Sequence, residues 1–145
     1  MGSRVFIGFQ TILVAYDSSP QSEHALNIAF SLATTTHSKL VIFAVVRPPE
    51  PALRAELNAT LDAAHEHYEQ SFASIRERAK KEDIELETDV AVGNPADQII
   101  HRAEEVQASL IVMGRRGRSA IQRWVLGSNS ERVLRYAHCP VMVVH

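Results

Sequence analysis

The chain has 145 residues, which is the usual size of one domain with a single hydrophobic core. Hydrophobic residues make up 46% of it and charged residues 22%, both ordinary proportions for a globular domain. The formal net charge of -2 argues against a general nucleic-acid binder, because such proteins carry a basic excess. The single cysteine, Cys139, excludes an intrachain disulfide, and no apolar run reaches the roughly 18 residues that a membrane span needs. We therefore expect a cytoplasmic protein without a membrane or nucleic-acid partner.

From residue 10 onward, short apolar runs alternate with longer helical patterns. We expect residues 1–9 to be an N-terminal extension or residues added in cloning, and residues 10–145 to form one domain. The third apolar run alternates polar and apolar residues, so its strand is expected nearer an edge of the sheet. In chain order, the five predicted strands are 11–16, 39–46, 85–92, 109–114 and 139–145.

Four helices are predicted between these strands, and each has a start signal or an apolar stripe. Ser19 and Asn94 are expected N-caps, each followed by a proline at the first helical position. Ser128 and Glu131 fit a capping box ahead of a helix whose apolar face includes Leu134. The longest stripe consists of Leu53, Leu57, Leu61, Ala64, Tyr68, Phe72, Ile75 and Ala79.

Strict alternation of strand and helix predicts a parallel sheet with helices on both faces. In such sheets, ligands bind beyond the carboxyl ends of the strands, where the strand order reverses. Two segments are expected to line that crevice: the turn from Asp17 to Pro20 after the first strand, and the glycine-rich segment after the fourth. The sequence therefore predicts a ligand site between these two segments.

The glycine-rich segment, "GRRGRSAIQRWVLGS" (114–128), carries four arginines and no acid. It is neither a P-loop, which needs Gly-Lys-Ser/Thr, nor the G-x-G-x-x-G fingerprint of dinucleotide-binding folds. Gly127 and Ser128 stand at a helix start, where amides and the helix dipole favour an anion, and the Ser130 hydroxyl adds a donor. Spacing alone leaves two interpretations open: a phosphate site, or a surface loop ahead of an ordinary capped helix.

Few other side chains suggest chemistry. Asp17, at the carboxyl end of the first strand, can accept hydrogen bonds from a ribose, or it can satisfy amides at a helix start. His65 and His67 lack the metal-binding H-E-x-x-H spacing, so a solvated helix face is expected there. No G-x-S-x-G nucleophile motif occurs, and we predict no catalytic or metal-ligating residue. Trp124 either anchors its loop to the body of the protein or is presented to a partner.

The last predicted strand contains the short apolar run "VMVV" (141–144). At the end of a parallel sheet, such a strand exposes a hydrophobic edge that is normally covered or paired. We expect it to pair with the same strand of a second copy, giving a homodimer through Pro140 to Val144. Cys139, just before it, is expected to be a small buried residue.

Over residues 10–145 the chain resembles the universal stress protein family. The resemblance rests on "ILVAYDSS", "VGNPADQII", "ASLIVMGRRGRS" and "VLGSNSERVLRYAHCPVMVV". Its most specific element is the family's motif G-x2-G-x9-G-[S/T], met here by Gly114, Gly117, Gly127 and Ser128 with unchanged spacing. Two positions depart from the usual pattern, since Ala15 is often proline in the family and Asn129 is often apolar or threonine.

The resemblance implies a single-domain Rossmann-like fold of the adenine nucleotide alpha hydrolase type, with strand order 3-2-1-4-5 and a dimer through the fifth strands. It also implies ATP binding, because members with the full glycine motif typically bind ATP. Matching positions place Ala15 and Asp17 by the adenosine, and Val45 by the adenine. The same carry-over places Met113 and Gly114 by the ribose, and the following residues around the phosphates: Arg116, Gly117, Gly127, Ser128, Asn129 and Ser130.

The leading hypothesis is a dimeric, nucleotide-responsive stress or signalling module with protein partners that the sequence does not identify. Its ligand would be ATP, with AMP or ADP possible, and Mg²⁺ would be held through the phosphates. One alternative is a weak ATPase or a self-phosphorylating protein using Ser119, Ser128 or Ser130. Another is an interaction module that binds a different anion, or binds a partner through Trp124 and the loop arginines.

Overall fold

The computed structural model describes residues 8–51, 53–115 and 127–145. Strands and helices alternate along these residues, as the sequence predicts. In chain order the elements are β1 Thr11–Ala15, α1 Pro20–Thr36, β2 Lys39–Val46, α2 Arg54–Lys81, β3 Leu86–Val92, α3 Pro95–Glu105, β4 Leu110–Gly114, α4 Ser128–Tyr136 and β5 Val141–Val144. Within the described residues, no helix is long and apolar enough to cross a membrane.

The five strands form one parallel sheet in the order β3-β2-β1-β4-β5. The predicted fold class and strand order are therefore confirmed, and the charged third strand lies at an edge. The chain moves from β1 toward β3 on one side and from β4 toward β5 on the other. The strand order thus reverses between β1 and β4, which defines where a ligand crevice belongs in this class of fold.

Each face of the sheet packs against two helices. Alternate β1 residues point to opposite faces, with Ile12 and Val14 in the cluster under α1 and α2, and Leu13 in the cluster under α3 and α4. All three side chains are fully buried. Burying an aliphatic side chain of this size contributes about 1.5–3 kcal/mol, so this central strand is a rigid support for residues at its carboxyl end.

The first two predicted helix caps are confirmed by their hydrogen bonds. The Ser22 amide donates to Ser19 Oγ at 3.1 Å, and the Asp97 amide donates to Asn94 Oδ1 at 3.1 Å. Each capping residue has an extended backbone and is followed by proline. Both helices therefore start with part of their unpaired amide set already satisfied by protein.

The capping box predicted at Ser128 and Glu131 is wrong. Gly127 is the N-cap of α4, with φ -63° and ψ 156°, and its carbonyl accepts the Glu131 amide at 3.0 Å. Ser128 is already inside the helix, so its hydroxyl cannot take the N-cap position. Leu134, expected on the apolar face, is 42% exposed, because Val133 faces the sheet and the next residue lies about 100° around the helix.

The apolar stripe of α2 is buried from Ala64 to Ala79, but its beginning is not. Leu53 precedes the helix and is 58% exposed. The helix has 28 residues, about 42 Å at 1.5 Å per residue, whereas the neighbouring β2 has only eight residues. The first turns of α2 therefore extend past the end of the strand, where no sheet is available to cover them.

Candidate functional site

A cavity of about 470 Å³ lies at the carboxyl edge of the sheet. It is formed by the ends of β1, β2 and β4 together with the starts of α1, α3 and α4. This is the crevice that the reversal of strand order predicts. The lining residues are Ala15, Tyr16, Asp17, Ser19, Ser22, Phe43, Val45, Arg47, Pro95, Ile99, Met113, Gly114, Gly127, Ser128, Asn129 and Ser130.

The structure brings together every sequence-predicted site residue that it describes. These residues come from four separate stretches of the chain and all of them line the cavity: Ala15, Asp17, Val45, Met113, Gly114, Gly127, Ser128, Asn129 and Ser130. Arg116 and Gly117 lie outside the described residues, as do Ser119 and Trp124.

Sequence reasoning did not assign several cavity residues to the site, among them Phe43, Arg47 and Ile99. A signal for two of them was present. In a strand, residues two apart point to the same face, so choosing Val45 also selects Phe43, and Arg47 if the extended backbone continues. The β1–β2 register, in which Ala15 pairs with Phe43, depends on tertiary structure and could not be read from the sequence.

The turn between β1 and α1 holds Asp17 at the cavity wall. The Ser19 amide donates to Asp17 Oδ1 at 3.0 Å, and the Asp17 amide donates to Ser22 Oγ at 3.3 Å. Ser18 between them has φ 66°, a left-handed conformation that costs a residue with a side chain on the order of 1 kcal/mol. Asp17 therefore accepts a hydrogen bond from an amide at the start of α1, which is one of the two roles predicted for it. It also lines the cavity.

Tyr16 holds the same turn in place through its side chain, which packs in the apolar cluster under α1 and α2. Its ring lies edge-on to Tyr68, with centroids 6.2 Å apart, and its hydroxyl donates to Glu23 of α1. Burial, and secondarily the hydrogen bond with Glu23, raises the pKa of Tyr16 above its ordinary value. The phenol thus stays protonated and keeps donating, which ties the strand end to the first helix.

The two described glycines of the motif have different surroundings. A Cβ on Gly114 would lie 2.6 Å from the backbone carbon of Gln21, and 2.8 Å from its carbonyl oxygen. Glycine is therefore needed there for the close packing of β4 against the first turn of α1. A Cβ on Gly127 would have no described atom within 4 Å, and the φ of -63° suits any residue. The described packing therefore does not require a glycine at 127.

The start of α4 differs from the starts of the other two helices that line the cavity. Gly127 offers no side chain, and no side-chain hydrogen bond caps this end within the described residues. The lining residues Ser128, Asn129 and Ser130 form the first turn. Amides of a helix's first turn have no partner inside the helix, so this turn presents donors and a positive dipole end to the cavity.

Charges are sparse among the described residues that line the cavity. Asp17 is the one acid and Arg47 the one base. Across the described ranges, no group of three or more His, Cys, Asp or Glu side chains is arranged to hold a metal ion. His65 and His67 lie exposed on α2, which confirms the predicted solvated face. A ligand of this cavity is therefore held mainly by backbone donors, hydroxyls and apolar walls.

Cys139, expected to be a small buried residue, is half-buried, and it lies in the connection between α4 and β5. Burial raises the pKa of its thiol. The side chain contributes to the apolar cluster under α3 and α4 and does not line the cavity.

The parallel sheet, the reversal of strand order and the cavity at that point define a doubly wound α/β protein with a ligand crevice at its carboxyl edge. Comparison with known families then identifies it more closely. The family model described as "Universal stress protein family" matches residues 8–145, so the chain belongs to the universal stress protein family.

Known members of the family are similar over nearly the whole chain. Universal stress protein MJ0531 of Methanocaldococcus jannaschii is 32% identical, over 94% of this chain and 82% of that protein. Universal stress protein YxiE of Bacillus subtilis is also 32% identical, over 94% of this chain and 99% of that one. A universal stress protein solved in complex with cAMP is 29% identical, with a TM-score of 0.74, covering 95% of this chain and 98% of that one.

Proposed function

We propose that the protein binds an adenine nucleotide in this cavity, with ATP as the main ligand and AMP or ADP as alternatives, and that it acts as a nucleotide-responsive stress or signalling module. The observation that carries the proposal is the start of α4, which enters the cavity with no side-chain cap in the described structure. Helix starts of this kind bind phosphate through backbone amides.

Gly127 gives the phosphate site its space. The described fold has no need of a glycine at this position, since a Cβ there would meet no described atom within 4 Å. A ligand phosphate does need the room, because a side chain at the N-cap would cover the amides of the first turn. The hydroxyls of Ser128 and Ser130 supply further donors beside them.

The apolar part of the cavity lining suits a nucleoside. Phe43, Val45, Ile99 and Met113 supply an apolar wall for the base. Asp17, just beyond β1, also lines the cavity, where a carboxylate can accept hydrogen bonds from ribose hydroxyls. The solved relative bound to cAMP supports a ligand of this class, since cAMP also joins an adenine, a ribose and a phosphate.

Mg²⁺ would enter this site with the nucleotide. The described cavity wall has a single carboxylate, too few ligands for a dedicated cation site. Mg²⁺ is commonly bound through substrate phosphates and one or two carboxylates, and it keeps several waters. We therefore propose that the phosphates of ATP hold the ion, and that AMP needs none.

Isothermal titration tests the proposal, with ATP and Mg²⁺ in one series and AMP or cAMP in the others. The parent protein is compared with Gly127→Val, whose branched side chain fills the space beside the α4 amides. Arg135→Gln is the matched control, since it removes an exposed charge of the same helix away from the cavity. We expect binding by the parent and the control, and at least tenfold weaker binding by Gly127→Val. A folded parent that gives no heat with any nucleotide would disprove nucleotide binding.

We also propose a homodimer formed through Pro140 to Val144. The two edges of the sheet differ in charge: β3 carries Glu87 and Asp89, which pair with Arg102, whereas β5 has no charged residue. Charged side chains protect a strand edge from pairing, and an apolar edge invites it. The free edge of β5 is thus the one suited to a second copy.

Proline substitution in β5 tests the dimer directly. The Ile111 amide donates to the Pro140 carbonyl, and the Arg115 amide donates to the Val144 carbonyl, so alternate residues of β5 face β4. Backbone groups of Val143 then point to the free edge. Val143→Pro removes that edge donor without removing a β4–β5 hydrogen bond. Light scattering is expected to show a dimeric parent and a monomeric variant, and a monomeric parent would refute the proposal.

A further inference from the structure

We propose that the ion pair between Asp97 of α3 and Arg132 of α4 positions the start of α4 and thereby sets the nucleotide affinity of the cavity. This inference rests on the proposed function, although part of its test is independent of any ligand. Arg132 Nε donates to Asp97 Oδ1 at 2.7 Å. Neither side chain lines the cavity, so both are positioning residues that act through the helix.

The short helix α4 has little apolar contact to fix its orientation. It has nine residues, and Val133 is its one fully buried apolar side chain, packed in the cluster that includes Ala96 and Ile99 of α3. The other apolar side chain of this segment that packs against the cluster is Ala137, the C-cap of α4, which lies at the end away from the cavity. A connection between the two helices near the start of α4 would therefore help to fix the direction in which its first turn points.

The Asp97–Arg132 pair provides that connection at the cavity end. Pro95, two residues before Asp97, and Ser130, two residues before Arg132, both line the cavity. Each partner is also held by its own helix. The Asp97 amide is bound by the Asn94 cap, and the Arg132 guanidinium lies 5.3 Å from the centroid of the Tyr136 ring. Interaction with Asp97 raises the pKa of Arg132, which remains charged at any physiological pH.

A second contact between these two helices, which joins an imidazole and a carboxylate, serves as an internal control. His138 Nε2, just beyond the end of α4, lies 3.2 Å from Glu104 Oε1 near the end of α3. Both pairs are about half exposed or more. They differ in position, since only the first lies beside the turns that line the cavity. Breaking the second pair therefore tests a general loss of helix docking.

Removing each charge separately distinguishes positioning from a long-range field effect. If the pair acted only through its charges, Asp97→Ala would remove a negative charge and tighten binding of a phosphate, whereas Arg132→Met would weaken it. If the pair positions α4, both variants weaken binding. The double variant is then no worse than either single variant, because the same connection is lost once.

The experiment measures AMP and ATP affinity by titration for the parent, Asp97→Ala, Arg132→Met, the double variant and Glu104→Ala. We expect about two- to fivefold weaker binding in the first three variants, the range typical of exposed ion pairs, and no change in Glu104→Ala. Tighter binding by Asp97→Ala, or unchanged binding in both single variants of a parent that binds nucleotide, overturns the inference.

Hydrogen exchange of the ligand-free protein separates this inference from nucleotide binding itself. The Glu131 amide makes the first hydrogen bond of α4, to Gly127. Its exchange should be faster in Asp97→Ala and Arg132→Met than in the parent, and unchanged in Glu104→Ala. Equal exchange in all these proteins overturns the positioning role, whether or not the parent binds nucleotide.

Discussion

The three helices that begin at the cavity differ in how their starts are satisfied. The starts of α1 and α3 are closed by Ser19 and Asn94, whose side chains accept amide hydrogen bonds. The start of α4 follows Gly127 and has no side-chain cap among the described residues. Because a protein seldom leaves a helix start without an acceptor, the difference supports the proposal that a ligand binds at the start of α4. In that proposal, the first two helices support the cavity wall and the third provides the hydrogen-bond donors.

Closing the α4 start with a carboxylate is expected to have the largest effect. Gly127 has an extended backbone suited to an N-cap, so Gly127→Asp should cap α4 and increase the free energy of unfolding by about 0.5 kcal/mol. The same carboxylate would occupy the amides and repel phosphate, and like charges in an interface cost several kcal/mol. We expect at least hundredfold weaker ATP binding by titration, roughly 2.8 kcal/mol.

Gly127→Asn is the control for charge at the same position. Asparagine caps nearly as well as aspartate but carries no charge, so nucleotide binding should fall less in this variant than in Gly127→Asp. If Gly127→Asp bound ATP as well as the parent, the open start of α4 would not be the phosphate site.

The next largest effect is expected at Gly114, the glycine that packs against the capped start of α1. Gly114 packs against the backbone of Gln21 in the first turn of α1, where a Cβ would come within 2.6 Å. Gly114→Ala forces backbone atoms apart, and overpacking of this kind costs about 1–3 kcal/mol. Urea denaturation should show this loss, whereas Gly127→Ala should change stability by less than about 0.5 kcal/mol. A stable Gly114→Ala would mean that α1 can shift away from β4.

Removing the side-chain cap of α3 is expected to have a smaller effect, and to lower stability rather than nucleotide affinity. Asn94→Ala removes the acceptor of the Asp97 amide and is expected to lower the free energy of unfolding by about 1 kcal/mol. Asn94 does not line the cavity, so ATP affinity should change less than twofold. Asn94→Asp, which keeps the acceptor, should retain the stability of the parent. A larger loss of affinity in Asn94→Ala would show that the cap also positions the site.

The sequence predicted these helix starts unequally well, for physical reasons. Ser19 and Asn94 were predictable because the capping residue and the following proline act locally. Strict alternation of elements likewise predicted the parallel sheet. The predicted N-cap of α4, Ser128, is wrong by one residue. Both Gly127 and Ser128 are residue types found at N-caps, and which of them takes that position depends on how the chain enters the helix.

The cavity residues also fall into two groups: some were predictable from local sequence, and others depend on tertiary structure. Gly127 and Ser128 were predictable because the spacing of the motif carries them, whatever the sheet register. Phe43 and Ile99 required the register of β2 against β1 and the docking of α3, which are tertiary facts. The spacing of glycines also could not distinguish Gly114, required by packing, from Gly127, which the described packing leaves open.

The smallest predicted effect belongs to Arg47, the one base among the described cavity residues. It follows β2 and is exposed, so its attraction for a nucleotide phosphate is screened by water and salt. Arg47→Met should weaken ATP binding about two- to threefold at low salt and have no effect near 1 M salt. Arg54→Met, an exposed arginine outside the cavity, is the control. If Arg47→Met weakened binding more than tenfold at both salt concentrations, Arg47 would contact the ligand directly, and the donors at the start of α4 would not act alone.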